Sequence, residues 1–307
     1  MIHRCTRISV AHLSISILLR QALTPSRRTF AETRNGMCVS ACSDLRDQRF
    51  LLVCLAVAGL LGAQAAARPA PREVRFGTGS GVTGQCDTPG TEGPYPLMVL
   101  IPGGSLSRRG TSGQFSAMSR LYDPLVEAAL GEGWAVFRYD RHETPPGSRD
   151  ESQDIIDAIT AARALPDVDT RRIVLCAHAS GTVFLQQAYD RAEEIIGFRA
   201  LRGVILLSSR ANASEAGRMA GHLLVVVGES ASADEKLAGE NAVRVHRESY
   251  PRWNARYLMV PGADVALCDT TTSAWRGWQG LPGSCRFSPE IPRAISELLR
   301  AASDATF

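Results

Sequence analysis

Ile173-Val174-Leu175-Cys176-Ala177-His178-Ala179-Ser180-Gly181-Thr182 lies past the middle of the 307-residue chain. It opens on a continuous apolar run, the pattern of a strand buried on both faces. Small residues follow, and from Val183 to Ile195 the apolar positions return at helical spacing. A buried strand that turns at once into a helix is half of a βαβ unit. Cys176, inside the run, is expected to be a buried thiol.

Outward from this stretch the alternation continues. Upstream, Val74-Arg75-Phe76 and Gly81 to Cys86 read as two short strands, and Leu97 to Ile101 as a buried strand ending in Pro102-Gly103-Gly104. Ser116 to Leu130 has helical spacing, Trp134 to Tyr139 is a strand, and Ile155 to Leu165 is helical. Downstream, Val204 to Leu207, Leu223 to Val227 and Tyr257 to Val260 read as strands. Ser288-Pro289 is expected to open a final helix, with Ser as N-cap and Pro in the first turn. Strands alternating with helices predict an α/β fold with a mainly parallel, eight-stranded sheet. Two β-segments before the first helix predict an antiparallel start. No internal repeat or second domain is visible.

The charge is unevenly placed. Residues 1–65 carry eight Arg and three acids, Glu32, Asp44 and Asp47, whereas residues 66–307 are near neutral with 26 Lys+Arg and 28 Asp+Glu. The body therefore shows no basic footprint for nucleic acid. Arg46 and Arg49 precede an uncharged apolar run from Phe50 to Gly62, and Ala63-Gln64-Ala65 follows as a small-x-small site. That order is the pattern of a secretory signal, and the run is short for a membrane span. Met37 offers a start that would make residues 37–65 the whole signal. The chain thus divides into a leader at 1–65, a Pro/Ala linker at 66–72 and one domain at 73–307. A secreted or periplasmic product without a stable membrane anchor is expected. In such a compartment disulfides persist. Cys86, Cys176, Cys268 and Cys285 in the body allow three pairings. Cys268 and Cys285, which bracket a loop with Trp275 and Trp278, are the best candidates.

Five segments together resemble the α/β-hydrolase superfamily, in particular its bacterial esterase and serine-peptidase-like members. The stretch from Ile173 to Thr182 looks like the nucleophile elbow, where a strand ends in G-x-S-x-G and turns into a helix. Pro102-Gly103-Gly104 resembles the oxyanion loop, and Arg138-Tyr139-Asp140-Arg141 the segment after the fourth strand. Leu165 to Ile173 resembles the approach to the elbow strand. Val260-Pro261-Gly262-Ala263-Asp264 resembles the turn that delivers the catalytic His. The likeness covers about residues 73–303 and implies the α/β-hydrolase fold. With only 12 residues from Arg210 to Gly221, little or no lid domain is expected.

Residue by residue, the resemblance implies a degenerate triad. Ala177 and Gly181 take the two Gly places of the elbow, which puts Ala179 at the nucleophile. The acid place falls on Ala231, with Glu229 and Asp234 nearby; a helix start explains these acids equally well. The base place falls on Val265, and no His follows His246. Backbone N–H groups at Gly103, Gly104 and Ser180 are the expected oxyanion-hole-like remnant. Ser180 reads either as a helix N-cap or as a shifted nucleophile served by His178 or His142.

Two function classes follow. One is an exported, non-catalytic or very weakly active pseudo-hydrolase that binds a small molecule or a protein at the vestigial pocket. The other is an active serine hydrolase, esterase- or peptidase-like, using Ser180. No His/Cys/Asp spacing resembles a metal site and no dinucleotide fingerprint follows a strand, so no metal or cofactor is expected.

Overall fold

The computed structural model describes residues 68–77, 82–103, 120–140, 151–272 and 285–304, all within the unit Ala66–Phe307. The leader, Gly104, His142, Trp275 and Trp278 lie outside the described residues.

Eight strands form one sheet: β1 Arg72–Phe76, β2 Val82–Asp87, β3 Tyr95–Ile101, β4 Ala135–Tyr139, β5 Val168–His178, β6 Leu201–Leu207, β7 His222–Gly228 and β8 Ala255–Val260. Their order is β1-β2-β4-β3-β5-β6-β7-β8. β1–β2 and β2–β4 pair antiparallel, and every pair from β4 to β8 is parallel. The expected antiparallel start on a mainly parallel sheet is therefore present.

The central strands are apolar throughout because both faces are covered. Leu97, Val99, Ile101, Ile173, Leu175, Val204, Leu206 and Val225 point into one core, with α2 (Glu151–Arg163), α3 (Ser180–Ile196) and α5 (Ala233–Ser249) packed over them. Their neighbours Met98, Leu100, Val174, Cys176, Ile205, Leu207, Leu224 and Val226 feed the opposite core under α1 (Asp123–Gly131) and α6 (Glu290–Asp304). The two-residue repeat of a strand sorts successive side chains to opposite faces. Cys176 is fully buried and unpaired, and burial pushes its thiol up to about 12.

Three boundaries differ from expectation. The helix expected over 116–130 is a 3₁₀ turn at Arg120–Tyr122 followed by α1, within the described residues. Pro124 lacks an N–H and suits only the first turn, so it sets the start of α1. The final helix begins at Glu290, just after Pro289. Ser180 is not an N-cap: Ala179 occupies that place without a side-chain cap, and Ser180 is the first helical residue. The segment between β6 and β7 holds only the four-residue α4 (Ala213–Ala216), in keeping with a lidless domain.

Cys268 and Cys285 form a disulfide with Cα atoms 5.2 Å apart and a sequence separation of 17. A loop of that length contributes about 3 kcal/mol in the chain-entropy account. The bridge fastens the turn after β8 to the approach of α6, where Cys268 also pairs with Phe287.

Candidate functional site

β5 delivers His178 and Ala179 to the C-terminal edge of the sheet, and α3 starts at the next residue. Ala179 has φ 48° and ψ −119°, a left-handed conformation that costs an L-residue about 1–3 kcal/mol. Ser180 is not among the residues with positive φ. The strained residue of the turn is thus Ala179, one position before the serine.

Two glycines allow this bend. A Cβ on Gly103 would lie 2.4 Å from the His178 carbonyl oxygen and 2.7 Å from the Ala179 Cβ. A Cβ on Gly181 would lie 2.7 Å from the Pro102 carbonyl oxygen. The end of β3 therefore presses directly on the elbow, and only glycine leaves room at these positions. The Ala179 N–H donates to the Leu207 carbonyl at 2.8 Å, which anchors the turn to β6. Thr182 closes it from the other side: its hydroxyl donates to the Ala179 carbonyl at 2.7 Å and accepts the Arg210 N–H at 2.9 Å.

His178 is fully buried beneath the elbow. Its Nε2 meets the Ala266 carbonyl at 3.2 Å, and a carbonyl only accepts, so the proton sits on Nε2. Nδ1 then accepts from the Tyr122 hydroxyl at 2.8 Å, and that hydroxyl accepts the Gly103 N–H at 3.2 Å. Tyr122 and Phe287 stand edge-on to the imidazole, with ring centroids 5.7 Å and 5.5 Å away. Burial pulls the His178 pKa down to about 4, outweighing the support of the Ala266 carbonyl.

This network changes two expectations. His178 has no nitrogen left to take a proton from Ser180, since one carries its own proton and the other is occupied by Tyr122. Gly103 is not an oxyanion donor, because its N–H is turned to Tyr122. Ser180 keeps its place at the start of α3.

At the acid place, Ala231 lies in a turn whose N–H donates to the Gly228 carbonyl at 3.0 Å. Glu229 is a structural tie: its carboxylate accepts the Gly262 N–H at 2.8 Å, joining the ends of β7 and β8. Asp234 lies in the first turn of α5, behind the Ser232–Glu235 capping box. At the base place, Val265 is half-buried, and its carbonyl accepts the Ser208 hydroxyl. Ser208 itself has φ 50°. The neighbouring Asp264 carboxylate accepts the N–H groups of Ala266 (2.9 Å) and Cys268 (2.8 Å) through one oxygen. Its other oxygen is buried without a partner, and burial raises its pKa from the ordinary carboxylate value, against the lowering by the Cys268 and Ala266 N–H groups. Tyr122, Ser208 and Asp264 were not singled out as site residues by sequence reasoning. Only Asp264, within the turn after β8, carried a local signal.

His222 opens β7 and His246 lies in α5, so neither reaches the C-terminal edge where Ala179 sits. Among the described residues no group of three or more His, Cys, Asp or Glu is arranged to hold a metal ion.

The strand order, the sharp strand-to-helix turn after β5 and the helices on both faces define the α/β-hydrolase fold. Solved structures agree. A dienelactone hydrolase-like promiscuous phosphotriesterase from metagenomic libraries matches with TM-score 0.54 and 16% identity, over 76% of this chain and 98% of its own. A thermophilic carboxylesterase cloned from a metagenomic library matches with TM-score 0.52 and 14% identity, over 83% and 96%. A serine hydrolase without lid from Xanthomonas campestris matches with TM-score 0.52 and 14% identity, over 78% and 98%. At such identities the likeness establishes the fold. No protein-family model matches the chain, and no curated protein does.

Proposed function

We propose that this chain is an exported α/β-hydrolase-fold protein whose elbow binds rather than cleaves, taking a small molecule or a protein partner at the vestigial pocket. The observation that carries the reading is the alanine at the strained residue of the elbow. A methyl group cannot attack a carbonyl, and the adjacent imidazole is buried, neutral and hydrogen-bonded on both nitrogens. Nucleophilic catalysis in this fold needs an activated oxygen with a base in reach.

The second reading is an active serine hydrolase that uses Ser180. In its favour, the chains of similar fold are named as hydrolases and esterases. A fluorophosphonate probe separates the two. The binding reading expects no covalent labelling of the natural protein, and turnover of a small acyl ester unaffected by Ser180→Ala. Stoichiometric labelling that vanishes in Ser180→Ala would establish the second reading and remove the first.

Export rests on the charged edge, apolar run and Ala63-Gln64-Ala65 site. In a Gram-negative host the product is expected to begin between Ala65 and Arg68. N-terminal sequencing of periplasmic or secreted material checks this. Material that still carries residues 38–60 would exclude a cleaved signal.

A further inference from the structure

The opposite edge of the sheet carries a cleft that the elbow does not use. β5 to β8 run parallel, so Ala179, after the last residue of β5, marks one edge. His222 and Ala255, the first residues of β7 and β8, mark the other. A cleft of about 600 Å³ opens at this second edge, between α6, the end of α5 and the loop before β8. Its size lies within the roughly 300–1,000 Å³ of small-molecule sites.

The walls differ in chemistry. Trp253 and His222 form one wall, edge to face at 5.0 Å and 87°. Leu298 of α6 adds apolar surface. Arg256 and Glu297 both line the cleft and pair with each other, so their charges cancel. Arg247 does not cancel: among the described residues it has no carboxylate partner, and one of its nitrogens donates to the Ala255 carbonyl at 2.9 Å. The cleft therefore carries one surplus positive charge beside an aromatic wall.

His222 is fixed in the wall by its own contacts. Its Nδ1 accepts the Asn254 N–H at 3.1 Å, which fixes the proton on Nε2. The residue is only 6% exposed, and its Nε2 is sealed from solvent on the side of the Ala301 backbone carbonyl.

We propose that this cleft binds a small organic monocarboxylate with an apolar body. The carboxylate is held by Arg247, and the body lies against Trp253 and Leu298. Uncharged analogues lose the charge-assisted hydrogen bond to the guanidinium, the stronger kind of polar contact. The site is separate from the elbow and does not rest on whether the elbow is catalytic.

Calorimetric titration of the full-length protein with 4-phenylbutyrate and its neutral amide tests this. The acid is expected to saturate with a Kd below about 1 mM, and the amide to bind about tenfold more weakly, the difference of one charge-assisted bond. Arg247→Gln should abolish the preference for the acid, and Arg247→Lys should restore part of it. Trp253→Ala should weaken both ligands. Ala179→Leu, which fills the opposite edge, should leave both affinities unchanged, and circular dichroism confirms that each variant is folded. Three results would overturn the assignment: no saturation by the acid, equal affinity for acid and amide, or an acid preference that survives Arg247→Gln. Loss of binding in Ala179→Leu alone would move the ligand to the elbow and equally refute a site at this edge.

Discussion

Between pH 7 and pH 5 the protein is expected to lose about 4 kcal/mol of folding stability, about 2 kcal/mol from each of two buried histidines. His178 and His246 are both fully buried, and burial lowers both pKa values to about 4, from an ordinary value near 6.5. A base whose pKa is depressed on folding favours the neutral state in the native protein. Its contribution is complete above pH 6.5 and is lost as the pH falls toward 4, because the unfolded chain takes up the proton first. His222 is shifted in the same direction by burial and adds to the loss. Asp264 and Glu193, whose carboxyl pKa values are raised by burial, act in the opposite sense and soften the lower end of the window. Urea denaturation at pH 7, 6 and 5 measures the slope. Replacing His246 by Gln, which cannot be protonated, should remove about half of the loss. Stability that stays flat across this range would mean that both imidazoles reach solvent or an anionic partner.

The second large effect concerns chemistry. Ester hydrolysis by the natural protein is expected to stay near the level left to a site stripped of its triad, at most about 10³–10⁴-fold over water. Ala179→Ser alone should not raise it, because the new hydroxyl has no base. His178 cannot serve, as the Tyr122 hydroxyl occupies Nδ1 and the Nε2 proton is directed at Ala266. Ala179→Ser with Ala231→Asp and Val265→His is the smallest set expected to restore turnover, with the base alone worth about 10²–10⁴-fold. Initial rates on a p-nitrophenyl ester, with and without Val265→His, read that factor. Equal rates for Ala179→Ser and the triple variant would show that residue 265 does not face residue 179.

The sheet was largely legible because burial on both faces leaves an unmistakable mark. β3, β6, β7 and the second half of β5 are near-continuous apolar runs, and the ends of β3, β6 and β7 were placed within a few residues. The elbow was legible too, since Ala177, Ala179 and Gly181 are small where backbones meet. What escaped depends on partners distant in sequence. Tyr122 matters through Gly103 and His178, and nothing in Arg120-Leu121-Tyr122 announces those contacts. β5 begins at Val168, within a charged segment, because Tyr95 and Pro96 supply its pairing partners. α5 was read only as a helix start near Glu229 and Asp234, without a range. Its signal, Ser232 followed three residues later by Glu235, was local and sufficient.

The bend at Ala179 has a consequence for the residue it carries. Its curvature is enforced from outside, by Gly103 and Gly181 pressing from either side and by β6 holding the amide. Of these, Gly103 alone comes close to the side chain, beside the Ala179 Cβ. A serine at that position is therefore expected to leave the scaffold around it the same. Backbone shape and side-chain chemistry at this turn are thus set by different residues.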